Sequence, residues 1–160
     1  MSEHDSEKRK LEKVAIELFV LCFKEAYGLE YRLVQQQERP DAIIEDVDGK
    51  RLGLEITHLF YDELEAKMLL GRSQQQIHGL ENFDDHLKEL DCLLEKKGRT
   101  GLGYSTQYPC SLLIRNASPI WTKEDFGGVI SRIKAPRSLY KDIWLLTTDR
   151  FSVWSLIRLG

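Results

Sequence analysis

The sequence predicts an α/β (α+β) fold, a mixed β-sheet flanked by helices in the order α-β-β-β-α-β-α-β-β. Three observations predict it. Apolar side chains recur at helical spacing across residues 6–27. Residues 29–58 then hold three strand-like runs, the last two placed around Asp48-Gly49. The second half alternates helical patterns with continuous apolar runs at 110–115 and 142–148, which suits strands covered on both faces. The 160 residues suffice for one domain with its own core, and no linker or repeat divides them.

In the first helix Leu11, Val14, Ala15, Leu18, Leu21, Cys22 and Ala26 form the apolar stripe, widened by Phe19, Val20 and Phe23, and Gly28 ends it. Residues 29–36 read as a strand. After the next two strands, Asp62 with Glu65 and Ser73 with Gln76 fit helix caps, and Gly71 fits a stop. Asn82 starts a helix to Lys97 with Phe83, Leu87, Leu90, Leu93 and Leu94 on its buried face. Residues 98–109 read as a loop whose glycines lack the Gly-Lys-Ser/Thr ending of a phosphate-binding loop. Residues 110–115 read as a central strand. Thr122 with Asp125 caps a helix to about Lys134, and Pro136 terminates it. A strand at 142–148, a tight turn at Asp149-Arg150 and an edge strand at 151–157 complete the order.

The middle strands are the informative stretch. Asp48-Gly49 is a strong hairpin turn signal. A two-residue loop would mix the apolar faces. A three-residue loop at 47–49, with Gly49 left-handed, pairs Asp41 with Glu55, Ala42 with Leu54 and Ile44 with Leu52. Ala42, Ile44, Leu52, Leu54 and Ile56 then share one face. Asp41, Glu45, Arg51, Glu55 and Thr57 share the other, with only Ile43 apolar among them. The cleaner segregation favours this register. Directly paired carboxylates roughly 5 Å apart repel each other unless a cation lies between them. A divalent metal is the natural one, and magnesium typically takes one or two carboxylates with waters and phosphate oxygens.

Pro40-Asp41, thirteen residues and then Glu55-Ile56-Thr57 resembles the PD-(D/E)XK nuclease superfamily. The helix, strand and hairpin order resembles the opening of its restriction-endonuclease-like core. The resemblance implies that Asp41 and Glu55 hold Mg²⁺ or Mn²⁺, that the Ile56 carbonyl supplies a third oxygen, and that a nearby Lys assists water. Thr57 stands where that Lys should be, a departure that bears on catalysis more than on fold. The very-short-patch repair endonucleases are similar in carrying Thr-His near this position, here Thr57-His58. Lys67 is the relocated cation expected, with Lys50 behind it. Glu17 or Glu12 on the first helix is the accessory acid, with Glu17 preferred. Gln74 begins a Gln-x-x-x-His stretch similar to the Gln-x-x-x-Tyr of exonuclease-like branches.

Apolar residues make up 42% and charged residues 31% of the chain, with a net charge of −3. No basic footprint exists, so a nucleic-acid partner needs a local basic patch. No apolar run is long enough for a membrane span. Cys22, Cys92 and Cys110 lack ligand spacing and read as reduced core thiols, which points to a cytoplasmic protein. No nucleophile signature is present. His58 is either a structural histidine or a functional one that relays a proton or binds phosphate. Two functions follow as expectations: a metal-dependent nuclease, a hydrolase of phosphodiester bonds, or a degenerate nuclease-like module that binds nucleic acid or protein.

Overall fold

The computed structural model describes residues 3–38, 40–59, 83–100, 108–116, 122–128 and 140–159. Its elements are α1 (Glu3–Tyr27), β1 (Tyr31–Gln36), β2 (Ala42–Asp46), β3 (Arg51–Leu59), α2 (Phe83–Thr100), β4 (Cys110–Asn116), α3 (Lys123–Gly127), β5 (Ile143–Thr148) and β6 (Trp154–Arg158). The expected caps at 62–76, Lys67 and Gln74 lie outside the described residues. The expected continuation of the helix after Thr122 to about Lys134 also lies outside them, and α3 as described runs from Lys123 to Gly127 with Gly128 as its C-cap.

The six strands form one mixed sheet in chain order. β1, β2 and β3 run as an antiparallel meander, β3, β4 and β5 are mutually parallel, and β6 returns antiparallel at the far edge. The fold is thus α/β, with helices on both faces of the sheet. The hairpin has the register expected of the longer loop. Ala42 pairs with Leu54, Ile44 with Leu52 and Glu45 with Arg51. Gly49 has φ 82°, a conformation cheap only without a Cβ. Asp46 Oδ1 accepts the amide hydrogens of Asp48 and Lys50, which holds the loop closed.

Strand alternation feeds two cores. Toward α1, Ala42, Ile44, Leu52, Leu54 and Ile56 pack with Ala15, Ile16, Phe19 and Cys22. Toward α2, Cys110, Leu112, Ile114 and Leu145 pack with Leu87, Leu90 and Leu94. The face carrying Glu55 is therefore a second core, covered by a helix, where alternation alone suggested a polar surface. The sheet also curls around α1. The Phe23 ring lies 5.3 Å from that of Tyr31 in β1 and 5.5 Å from that of Trp144 in β5. In a flat sheet those strands would stand roughly 19 Å apart, four spacings of about 4.8 Å. A bulge between Leu33 and Gln35 in β1 adds to the bend.

Some expectations need correction. Val14 and Leu21 are exposed, because the α1 stripe that meets the sheet is centred on Ala15, Ile16, Phe19 and Cys22. Cys92 is exposed and all three thiols are free, so it is no core thiol. β6 starts at Trp154 and not at 151. Asp149 Oδ1 accepts the amide hydrogens of Phe151 and Val153, and Ser152 has φ 64°, so the turn runs further than two residues. No helix among the described residues is long and apolar enough to cross a membrane.

Candidate functional site

β3 outruns β2. Its ladder with β2 ends at Leu54, whereas its ladder with β4 continues from Gly53 to Leu59. Among the described residues no strand continues alongside the second half of β3 on the β2 side. Asp41 stands at the beginning of that stretch. Its Oδ2 accepts the Ile56 amide hydrogen at 2.8 Å, while its own carbonyl accepts from Gln37 at 2.8 Å. The Asp41 carboxylate thus extends the sheet where the β2 backbone has turned away, and the residue is 7% exposed. This differs from the expected cross-strand pair with Glu55. Asp41 precedes β2 instead of standing in its ladder, and its side chain meets the neighbouring peptide.

The Ile56 carbonyl leaves β3 on the same side as its amide. The Gly53 amide donates to the Pro109 carbonyl at 2.8 Å, toward β4. Residues of the opposite parity, Leu54 and Ile56, therefore turn their peptide groups toward β2. Past Leu54 that direction is met by the Asp41 side chain, so the Ile56 peptide and a carboxylate come together at the sheet edge.

The entry to β2 is fixed by close contact. A Cβ on Gly53 would lie 2.8 Å from Pro40 Cγ and 3.4 Å from Cys110 Sγ. Only the absence of that atom lets Pro40 seat against β3 and deliver Asp41 to Ile56. On the same side, the Cys110 thiol is pushed up to about 12, first by burial and then by the charge of Glu55, with Asp41 adding to it. Glu55 and Asp41 therefore both bear on one sulfur. Glu55 is 4% exposed, and Thr57 is half-buried on the same face.

Of the two α1 acids offered by the sequence, Glu12 is the one the fold encloses. It is buried, and its carboxyl is pushed up to about 7 by burial and then by the charge of Asp41, against the lowering influence of Lys8 and Arg9. Lys8 Nζ lies 3.8 Å from Glu12 Oε1. Glu17, preferred from the sequence, is exposed. The signal was present: Glu12 falls on the stripe of Ala15, Ile16 and Phe19 at spacings of three, four and seven. The amide nitrogen of the Gln36 side chain donates to the Arg9 carbonyl at 2.9 Å, which anchors this half of α1 over the end of β1.

His58 and Arg115 face α1 further along their strands. Their strands pair in parallel with His58 opposite Arg115, and Arg115 Nε donates to His58 Nδ1 at 3.0 Å. The His58 imidazole is pushed down to about 4, chiefly by burial and then by Arg115 and Lys8. Its ring is neutral at pH 7, with the proton assigned to Nε2 because Nδ1 is accepting. Neither Lys8 nor Arg115 was expected here, and Arg115 could not be, because its place depends on a parallel register between distant segments.

Lys50 is no substitute for the motif Lys. It closes the hairpin loop through Asp46, at the other end of β2 from Asp41, about 17 Å away at ~3.3 Å per residue. Arg51 pairs with Glu45 at 3.7 Å at that same far end. Among the described residues no group of three or more His, Cys, Asp or Glu is placed to hold a metal ion. The donors present, buried carboxylates beside a backbone carbonyl, are hard oxygen ligands of the type magnesium takes one or two at a time.

The chain matches no family model, no curated protein and no solved structure.

Proposed function

We propose that the chain is a metal-dependent phosphodiesterase of the PD-(D/E)XK type, with a restriction-endonuclease-like core, acting on nucleic acid. The observation that carries the reading is the meeting of Asp41 with the Ile56 peptide on the β2 side of β3. It places a carboxylate beside a carbonyl, with Glu12 and Glu55 each within electrostatic reach of the same neighbourhood. Buried carboxylates within electrostatic reach of one another, Glu12 with Asp41 above all, are costly to keep ionised.

Mg²⁺ or Mn²⁺, held by Asp41, Glu55 and the Ile56 carbonyl, would supply a Lewis acid and an activated water. Glu12 takes the accessory role that the sequence offered to Glu17. Asp41 keeps the Ile56 peptide oriented, and the cores on both faces of β3 keep the acids out of bulk water. Thr57, beside Glu55, can hold water by its hydroxyl and cannot supply the missing charge.

A second reading is favoured by Thr57 itself and by the net charge of −3: a nuclease-like fold that binds nucleic acid or protein without cutting. Calorimetric titration of Mg²⁺ and Mn²⁺ into the protein and into Asp41→Ala/Glu55→Ala separates the two. Metal binding lost in the double variant, together with metal-dependent cleavage of single- or double-stranded substrates, supports the enzyme. Binding without cleavage leaves the module, and equal metal affinity in both proteins overturns the site.

A further inference from the structure

The first turns of α1 are placed by a polar contact more than by the core. From Ser6 to Leu11 no residue is buried, and the first enclosed side chain is that of Glu12, 3% exposed. The buried apolar contacts begin one turn later, where Ala15 and Ile16 share a core with Ala42, Ile44 and Ile56. The turn before Glu12 is tied down by Gln36, whose side-chain amide donates to the Arg9 carbonyl at 2.9 Å. A carbonyl oxygen has two lone pairs, so Arg9 accepts this bond and keeps its place in the helix ladder.

Gln36 reaches α1 because β1 is bulged. β1 pairs Leu33 with Ile44, Gln35 with Ile43 and Gln36 with Ala42, which leaves Val34 as the extra residue. Ile44 and Ala42 belong to the core under α1, and directly paired residues share a face. Leu33 and Gln36 therefore face α1. In an unbulged strand Gln35 would stand opposite Ala42 instead; here it is exposed and donates to the Gln37 side chain. A bulge that re-aims one side chain is a recurrent device beside functional sites.

Gln36 stands opposite Ala42, the residue after Asp41. Glu12 thus lies between two ties to the start of β2. Arg9, one turn before it, is bonded to Gln36. Ala15 and Ile16, one turn after it, lie in one core with Ala42. The charge of Asp41, which helps to push the Glu12 carboxyl up, agrees with that placement. We infer that Gln36 is a positioning residue, which clamps the first turns of α1 to β1 and so holds Glu12 at the Asp41 end of β2. The inference rests on the proposed metal site for the role of Glu12; the clamp itself needs no metal.

The test compares the whole chain with Gln36→Leu, which keeps the bulk and removes the donor, and with Gln36→His, whose Nε2–H restores a donor at similar reach. Amide hydrogen exchange without metal reads the clamp. Gln36→Leu should exchange about three- to tenfold faster at residues 9–13, as loss of one hydrogen bond implies, and at the parent rate at residues 19–26. Gln36→His should return exchange to within about twofold of the parent at about pH 8, where an imidazole is neutral. Calorimetric titration of Mn²⁺ reads the consequence. Gln36→Leu should bind Mn²⁺ about three- to tenfold more weakly than the parent. In the Glu12→Gln background it should add no further loss, because it acts through Glu12. Unchanged exchange at residues 9–13 overturns the clamp. Faster exchange with unchanged Mn²⁺ affinity, or an equal further loss in Glu12→Gln, makes Gln36 a structural anchor and overturns the positioning role. A parent that binds no Mn²⁺ overturns the proposed metal site instead, and the clamp then stands or falls on the exchange of residues 9–13.

Discussion

Asp41 Oδ2 and the Ile56 amide are joined by a 2.8 Å hydrogen bond across the open end of the hairpin. The bond ties the metal proposal to an ordinary structural role, and the two can be separated. Asp41→Asn keeps an oxygen acceptor and removes the charge that pushes Glu12 up. Its stability should equal or slightly exceed the parent's in chemical denaturation. Asp41→Ala leaves the Ile56 amide buried without that acceptor and should lose about 1–3 kcal/mol. Both should lose the Mg²⁺-dependent rise in melting temperature. If Asp41→Asn retains that rise, the carboxylate is not a metal ligand.

Glu12 and His58 titrate in opposite senses. The folded Glu12 carboxyl is raised from 4.5 to about 7. The folded state therefore binds more protons than the unfolded one over that range, and stability falls as pH rises through it. The folded His58 ring is lowered from 6.5 to about 4. There the unfolded state binds more protons, and stability is lost as pH falls from 6.5 toward 4. Between pH 4.5 and 6.5 the two slopes oppose each other, so the metal-free parent should show little net dependence from this pair. Glu12→Gln removes one slope. The difference in unfolding free energy between it and the parent should be near zero at pH 4 and grow in the variant's favour toward pH 8. The full shift is on the order of 3 kcal/mol. A flat difference across that range means that Glu12 is not desolvated beside Asp41.

Gly53 allows the close approach of Pro40. Adding a methyl group at 2.8 Å from Pro40 Cγ forces the Pro40-Asp41 segment away from β3. Gly53→Ala should cost about 1–3 kcal/mol, as overpacking does, and should also weaken Mn²⁺ binding measured by calorimetry. A loss of stability with unchanged metal affinity would mean that Asp41 does not depend on this seat.

How much of this was legible follows from which forces are local. The hairpin was readable because a turn signal and period-two alternation fix a register within one short segment, and Gly49 and the Ala42–Leu54 pair obey both. The covering of the Glu55 face was not, because α2 joins it from a segment almost thirty residues on. That Glu12 and not Glu17 is the buried one of the two α1 acids follows from helix phase, which a single residue's apolar neighbours in sequence do not reveal. Arg115 beside His58 was beyond reach, since a parallel pairing leaves no local signature. The turn before β6 was misjudged because Asp149 draws two later amides to its carboxylate, which alternation does not reveal.

Thr57 stands where the proposed PD-(D/E)XK reading calls for a lysine, and placing one there tests the proposal most directly. Thr57 follows Glu55 by two residues, so both project from one face of β3, and it is half-buried opposite Ile114 of β4. A lysine there can lay its methylene stem along the core and bring its ammonium to the edge. Thr57→Lys should stay folded and retain metal binding. Its metal-dependent cleavage should rise by about 10²-fold or more, within the 10²–10⁴ that a positioned acid–base group contributes. Cleavage by parent and variant is measured on the same single- and double-stranded substrates, with Glu55→Ala as the inactive reference. A rise abolished by Glu55→Ala identifies a nuclease site weakened at one position. Metal binding without any rise means that the missing charge is supplied elsewhere or not required. Absence of both metal binding and cleavage in parent and variant leaves the fold as a binding module.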